Sequence, residues 1–160
     1  MFIPVEKSRD KTKNYEKLLD TIPYYIDKSD PWFTTLSNAA ALIDYFLADV
    51  NWVGFYITKE DTLFLGPFQG RPACTRIRFG QGVCGTAAAE KKTLSVDDVD
   101  AFPGHIACDS DSKSEIVVPI VKGGTVFGVL DIDSPLEGRF DETDQAWLEK
   151  LVGLIVDNLS

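Results

Sequence analysis

Cys74, Cys84 and Cys108 are the only cysteines of this 160-residue chain, and all three fall within 35 positions. Thiols grouped in this way can pack as small hydrophobes, ligate a soft metal ion, or cycle between thiol and disulfide. Cys84 lies in Gly80-Gln-Gly-Val-Cys-Gly85, and Cys108 sits in Pro103-Gly-His-Ile-Ala-Cys-Asp109. Both thiols sit near glycines, where backbone amides can approach a ligand closely. A structural zinc site favours close pairs, whereas nine residues separate Cys74 from Cys84 and nothing but His105 and Cys108 is tightly spaced. The spacing argues against metal; any single cysteine more often packs as a small hydrophobe, and Cys108, in a polar loop, escapes that reading most easily. His105 can lower the Cys108 thiol pKa or hydrogen-bond its own loop, and the second role is the commoner one.

A second set of groups ends strands that are otherwise apolar: Glu115, Asp131 and Asp133. The two-residue spacing of Asp131 and Asp133 puts them on one face of a strand, together with Phe127 and Val129. A three-residue loop over 122–124 places Glu115 opposite Asp131 on that face. A two-residue loop turns Glu115 away unless a bulge intervenes. Brought together and buried, such carboxyls hold their protons to higher pH and serve as acids near neutrality. Trp52 and Tyr56 share strand parity and offer an aromatic wall for a methyl group or a cation.

These groups need elements to hold them. Apolar residues recur at helical spacing over 15–22 and 33–47, and Asp30-Pro31 reads as an N-cap and first-turn proline for the second helix. Segments 52–58 and 62–68 read as a hairpin across Lys59-Glu-Asp61. Short strands are expected over 75–79 and 93–96, with a helix over 85–92 and a long polar loop over 97–113. Segments 116–121 and 125–130 form a second hairpin, and the stripe from Trp147 to Leu159 is a closing helix capped by Asp141. The fold class is α+β, and no linker or repeat divides the chain. Gly80-Gln-Gly-Val-Cys-Gly85 matches the dinucleotide-binding fingerprint letter by letter. That fingerprint works between parallel strands, and the flanking hairpins exclude it. A tight turn into a helix remains, whose amides can also line a pocket for an anionic or zwitterionic ligand.

Composition narrows the partners. A net charge of -9 disfavours nucleic acid and anionic membranes. No apolar run reaches the roughly 18 residues that span a bilayer, and the N-terminal segment has neither signal-peptide nor transit-peptide character. A cytoplasmic protein is expected, where structural disulfides are rare and an odd cysteine count points to free thiols, transient catalytic disulfides or a metal site.

Six segments carry a resemblance: Asn51-Trp-Val-Gly-Phe-Tyr56, Leu65-Gly-Pro-Phe-Gln-Gly70, Phe79-Gly-Gln-Gly-Val-Cys-Gly-Thr-Ala87, Pro103-Gly-His-Ile-Ala-Cys-Asp109, Ser114-Glu-Ile-Val-Val-Pro119 and Gly128-Val-Leu-Asp-Ile-Asp133. From Leu36 onward the chain resembles the free methionine-(R)-sulfoxide reductases, stand-alone enzymes with a GAF fold. The resemblance implies one GAF-like domain over 1–160, residues 1–30 being a helical extension. It implies a central antiparallel sheet of about six strands, with the terminal helices on one face and a pocket on the other. It further implies that Cys108 attacks the sulfoxide sulfur, while a protonated carboxyl from Glu115, Asp131 or Asp133 assists departure of the oxygen. Cys74 is the expected resolving thiol, with Cys84 an alternate or relay, and thioredoxin or another dithiol recycles the disulfide. For substrate binding it implies that amides of the Cys108 loop, around Ile106 and Ala107, hold the carboxylate. The acidic residues then hold the ammonium, and Trp52 and Tyr56 meet the methyl. No cofactor and no metal are expected, and a homodimer is suggested. The competing readings are a non-enzymatic GAF module that senses a small ligand and a zinc-stabilised interaction protein.

Overall fold

A computed structural model describes residues 1–160. Helix α1 (Lys11–Thr21) starts earlier than its apolar stripe, because the Asp10 carboxylate accepts from the Thr12 amide and caps it. Helix α2 (Trp32–Phe46) begins after Pro31, which occupies the N-cap position with no side-chain bond, so Asp30 is not the cap that the sequence suggested. Strands β1 (Trp52–Lys59) and β2 (Thr62–Gln69) make the expected hairpin, followed by the short β3 (Arg76–Arg78). Helix α3 (Gly82–Glu90) starts inside the glycine-rich turn, three residues before the expected position, so Cys84 is helical. Then come β4 (Leu94–Val96), β5 (Ser114–Lys122), β6 (Thr125–Ser134) and α4 (Glu142–Asp157). Asp141 and Asp144 close a reciprocal capping box at the start of α4.

The six strands form one antiparallel sheet in the order β3-β2-β1-β6-β5-β4. One face carries α1, α2 and α4 on a core that includes Tyr15, Leu36, Phe46, Phe55, Ile116 and Leu151. Burying side chains of this size contributes about 1.5–3 kcal/mol each, which makes this face the main source of stability. The other face carries α3 on a smaller cluster around Trp52, Tyr56, Val117, Val129 and Cys84. The GAF-like arrangement expected from the sequence is present, and no helix is long and apolar enough to cross a membrane.

The β5–β6 hairpin decides which face its carboxylates occupy. Lys122 pairs with Thr125, so the loop is the two residues Gly123 and Gly124, not three. Their φ values of 59° and 79° suit a tight hairpin turn that glycine adopts without strain. That loop alone would turn Glu115 to the helix face. A bulge restores the parity, since Ile120 and Val121 are consecutive whereas their partners Gly128 and Val126 skip Phe127. Phe127 is the extra residue. It leaves the carboxylate face that the sequence assigned to it and packs edge-on against Trp32, centroids 6.0 Å apart. The register then places Glu115 opposite Asp133, and Val117 opposite Asp131.

Candidate active site

The bulged hairpin delivers Glu115, Asp131 and Asp133 to one face, beneath α3 and the 97–113 loop. Cys84 and these three carboxyls line a single cavity of about 30 Å³ with Tyr56, His105, Ile106 and Cys108. Such a space holds a water or two and no amino acid. No lysine or arginine lines it. Glu115 and Asp131 are each 6% exposed, far below what unpaired carboxylates tolerate in their charged form.

Their ionisation reflects that setting. Burial, followed by the negative charges of Asp131 and Asp133, pushes the Glu115 carboxyl well above the usual range. Burial, followed by the charge of Asp131, does the same to Asp133. Asp131 is raised by burial, against hydrogen bonds with Glu115 and Cys84 that pull it down. The Cys84 thiol is pushed far up by burial and by the charges of Asp131 and Glu115. Its Sγ lies 3.7 Å from Glu115 Oε1, and Asp131 Oδ1 has no hydrogen-bond partner. The cavity therefore offers protons from buried acids and a receptor for a cation; anions are disfavoured at this end.

The thiols divide differently. Cys74, on the segment between β2 and β3, is bonded to Cys108, with S–S 2.04 Å and Cα atoms 5.4 Å apart. Cys84 is free and buried in α3, facing the carboxyls. The two bonded cysteines are half-buried, within reach of an exchanging thiol. Three further contacts tie the Cys74 segment down: the Tyr56 hydroxyl donates to Cys74 O at 2.9 Å, Trp52 Nε1 donates to Arg71 O at 3.1 Å, and Arg71 pairs with Asp111 at 2.7 Å.

Of the residues singled out from the sequence, Cys84, Cys108, Glu115, Asp131, Asp133, Tyr56 and Ile106 line the cavity. Trp52, Ala107 and Cys74 do not; Trp52 stacks behind Tyr56, with centroids 5.9 Å apart, and Ala107 is exposed. His105 departs from expectation, because its ring lies inside the cavity with Nε2 3.9 Å from Glu115 Oε2. The sequence reading passed over Asn51, Arg71, Asp109 and Ser112. Asn51 Nδ2 donates to Asp109 Oδ2 at 3.3 Å and to Ser112 Oγ at 3.2 Å, which fixes the end of the Cys108 loop to the start of β1. Asn51 heads the aromatic strand segment and Asp109 directly follows Cys108, so adjacency to those motifs was the available signal. The glycine turn lines the same cavity through Gln81 and Gly82, and α3 opens there. Gly85 is required in that turn, since a Cβ there would stand 2.2 Å from Arg78 O.

Comparison with known proteins gives this arrangement relatives. The GAF domain family matches residues 34–160. The free methionine-R-sulfoxide reductase of Saccharomyces cerevisiae is 49% identical, the match covering 91% of this chain and 86% of the yeast protein. That of Escherichia coli is 47% identical, covering 89% of this chain and 87% of the other. The X-ray structure of free methionine-R-sulfoxide reductase from Neisseria meningitidis in complex with its substrate superposes with a TM-score of 0.92 at 43% identity, over 99% of this chain and 95% of that one. With this likeness along nearly the whole sequence and the fold, the chain belongs to the free methionine-R-sulfoxide reductase family, built on a GAF domain.

Proposed function

We propose that the chain reduces free methionine-(R)-sulfoxide to methionine, with Cys108 as nucleophile and Cys74 as resolving thiol. The observation that carries this reading is the Cys74–Cys108 disulfide, whose Cys108 lines a cavity holding three carboxyls, two of them buried and one half-buried, and no lysine or arginine. In the first step the Cys108 thiolate attacks the sulfoxide sulfur, and a carboxyl of the Glu115, Asp131 and Asp133 group gives a proton to the oxygen. The hydroxyl then passes from the substrate sulfur to the Cys108 sulfur as the transient S–S bond breaks, so methionine leaves and Cys108 holds the oxygen as a sulfenic acid. The Cys74 thiol then attacks the Cys108 sulfur, and its proton leaves with the sulfenic hydroxyl as water, giving the disulfide. Methionine sulfoxide plus two thiols thus yields methionine, a disulfide and water, and a thioredoxin-class dithiol in a reducing cytosol restores the thiols.

Raised carboxyl acidity ranges suit the first step, because an acid protonated near neutrality can give its proton to a departing oxygen. The remaining carboxylates hold the substrate ammonium, the one cation the cavity lacks. Amides of the Cys108 loop, Ile106 and Ala107 among them, take the carboxylate, while Tyr56 backed by Trp52 receives the methyl. Gripping both charged ends also excludes peptide-linked methionine. A cavity of about 30 Å³ is the oxidised end of the cycle, and substrate enters after the disulfide opens. Residues 1–160 act as one domain on this reading, since α1 packs into the same core as α2 and α4.

The test is to incubate the pre-reduced protein separately with the R and S epimers of free methionine sulfoxide, with thioredoxin and its reductase, and quantify methionine. Turnover of the R epimer alone is expected; turnover of neither, or equal turnover of both, would sink the proposal.

A further inference from the structure

Cys84 takes no part in the disulfide, yet it is 4% exposed and aimed at two buried carboxyls. Donor atoms of Cys84, Glu115 and Asp131 all lie within 4.8 Å of one another. Ligand atoms around a tetrahedral ion with bonds of 2.0–2.3 Å are separated by roughly 3.3–3.8 Å, so a contraction of about 1 Å would close the set on an ion. Asp131 Oδ1 is an independent pointer. It belongs to a member of the same set that is more than nine-tenths buried, and it accepts no hydrogen bond.

We propose that Cys84, Glu115 and Asp131 form a binding site for a thiophilic divalent cation of the zinc class. A thiolate with two carboxylates selects such an ion over magnesium or calcium, which require six or more oxygen ligands. A fourth position is left for a water in the cavity or for His105 Nε2, which lies 3.9 Å from Glu115 Oε2. Gln81 is exposed and lines the same cavity, on the side of it nearest solvent. The site uses a different cysteine from the redox pair. It is a three-donor O/S set assembled by the fold, not the cysteine cluster whose sequence spacing argued against zinc. The functional consequence rests on the proposed reaction: an ion at this corner takes the acids that hold the ammonium and supply the proton, so zinc inhibits the reductase in competition with the amino acid.

The binding itself is tested without turnover, which separates this inference from the catalytic one. The protein is fully oxidised so that Cys74 and Cys108 offer no thiolate, and Zn²⁺ is titrated against a chromophoric zinc indicator. Cd²⁺ is then added to read the ultraviolet band of a metal–thiolate bond. One equivalent of Zn²⁺ and a cadmium–thiolate band are expected. Cys84→Ser should remove the band, and both Cys84→Ser and Asp131→Asn should weaken Zn²⁺ binding at least about tenfold. Two variants at separate elements guard against the loss of fold in either one, and each is checked by circular dichroism. Absence of stoichiometric binding, or binding that is unchanged in both folded variants, would overturn the site.

Discussion

Two groups of buried carboxyls lie in this small protein, and their surroundings are opposite. Asp144, fully buried at the head of α4, receives the Tyr15 hydroxyl at 2.7 Å, Lys11 Nζ at 2.9 Å, the Asp141 amide at 2.9 Å and the Arg139 guanidinium at 3.2 Å. It fastens α1 to α4 and to the segment before it. Glu115, Asp131 and Asp133 have no lysine or arginine at all in their cavity, and Asp131 keeps an unpaired oxygen. Burying a charge without a partner is costly, and nature retains such a site where the missing partner arrives from outside or where the proton itself is needed. The complete cluster is architecture; the incomplete one is, on the proposed reaction, a receptor.

Removing an acid from the incomplete cluster should therefore cost activity and add stability. Asp131→Asn or Glu115→Gln is expected to lower kcat/KM by about 10²- to 10⁴-fold. The folded values of Glu115 and Asp133 lie above the ordinary carboxylate range, so the folded state holds protons that the unfolded chain has released. Wild-type stability accordingly falls as pH rises from that ordinary range through the raised folded values. The neutral variants should show a shallower fall in urea-unfolding stability over the same window. A variant that loses activity and shows the wild-type pH slope would place these acids outside the cluster described.

The complete cluster should behave in the reverse manner. Asp144→Ala strands Lys11, Arg139 and Tyr15 around a hole and is expected to destabilise the fold by about 3–5 kcal/mol. At a temperature where the variant stays folded, its turnover should stay near that of wild type, because Asp144 serves the helix face of the sheet. A severe loss of kcat in a folded Asp144→Ala protein would break the division between the two clusters.

The smallest effect concerns an exposed ion pair beside the disulfide. Arg71 Nη1 lies 2.7 Å from Asp111 and 3.5 Å from Asp109, with its side chain 66% exposed. Exposed pairs contribute about 0.2–1 kcal/mol, so Arg71→Ala should slow closure of the Cys74–Cys108 bond by about two- to fivefold. Methionine released in the first turnover should be unaffected. Stopped turnovers that separate methionine release from thiol loss distinguish the two steps.

How the sequence revealed this site follows from range. Periodicity and turn residues are local, and they locate the two hairpins, the closing helix and the Asp141 cap. The six motif segments also named the family through resemblance. Register is not local. Whether Glu115 joins Asp131 and Asp133 depends on a two-glycine loop and on Phe127 slipping out of the ladder, and parity counting alone leaves that choice open. The same limit hid Asn51 and Arg71, whose contacts reach across 58 and 38 positions to Asp109. Spacing alone favours a loop role for His105, because its partner, Glu115, is brought beside it only by the sheet. A disulfide between residues 34 positions apart was likewise implied by the family and not by spacing.

The most direct test of the central claim is a single turnover without reductant. Reduced Cys74→Ser is mixed with an excess of free methionine-(R)-sulfoxide, the reaction is quenched, and methionine per chain is counted beside Cys108→Ser treated identically. One methionine per chain from Cys74→Ser and none from Cys108→Ser is the expected result. Methionine formed by Cys108→Ser at the rate of the wild-type protein would contradict it.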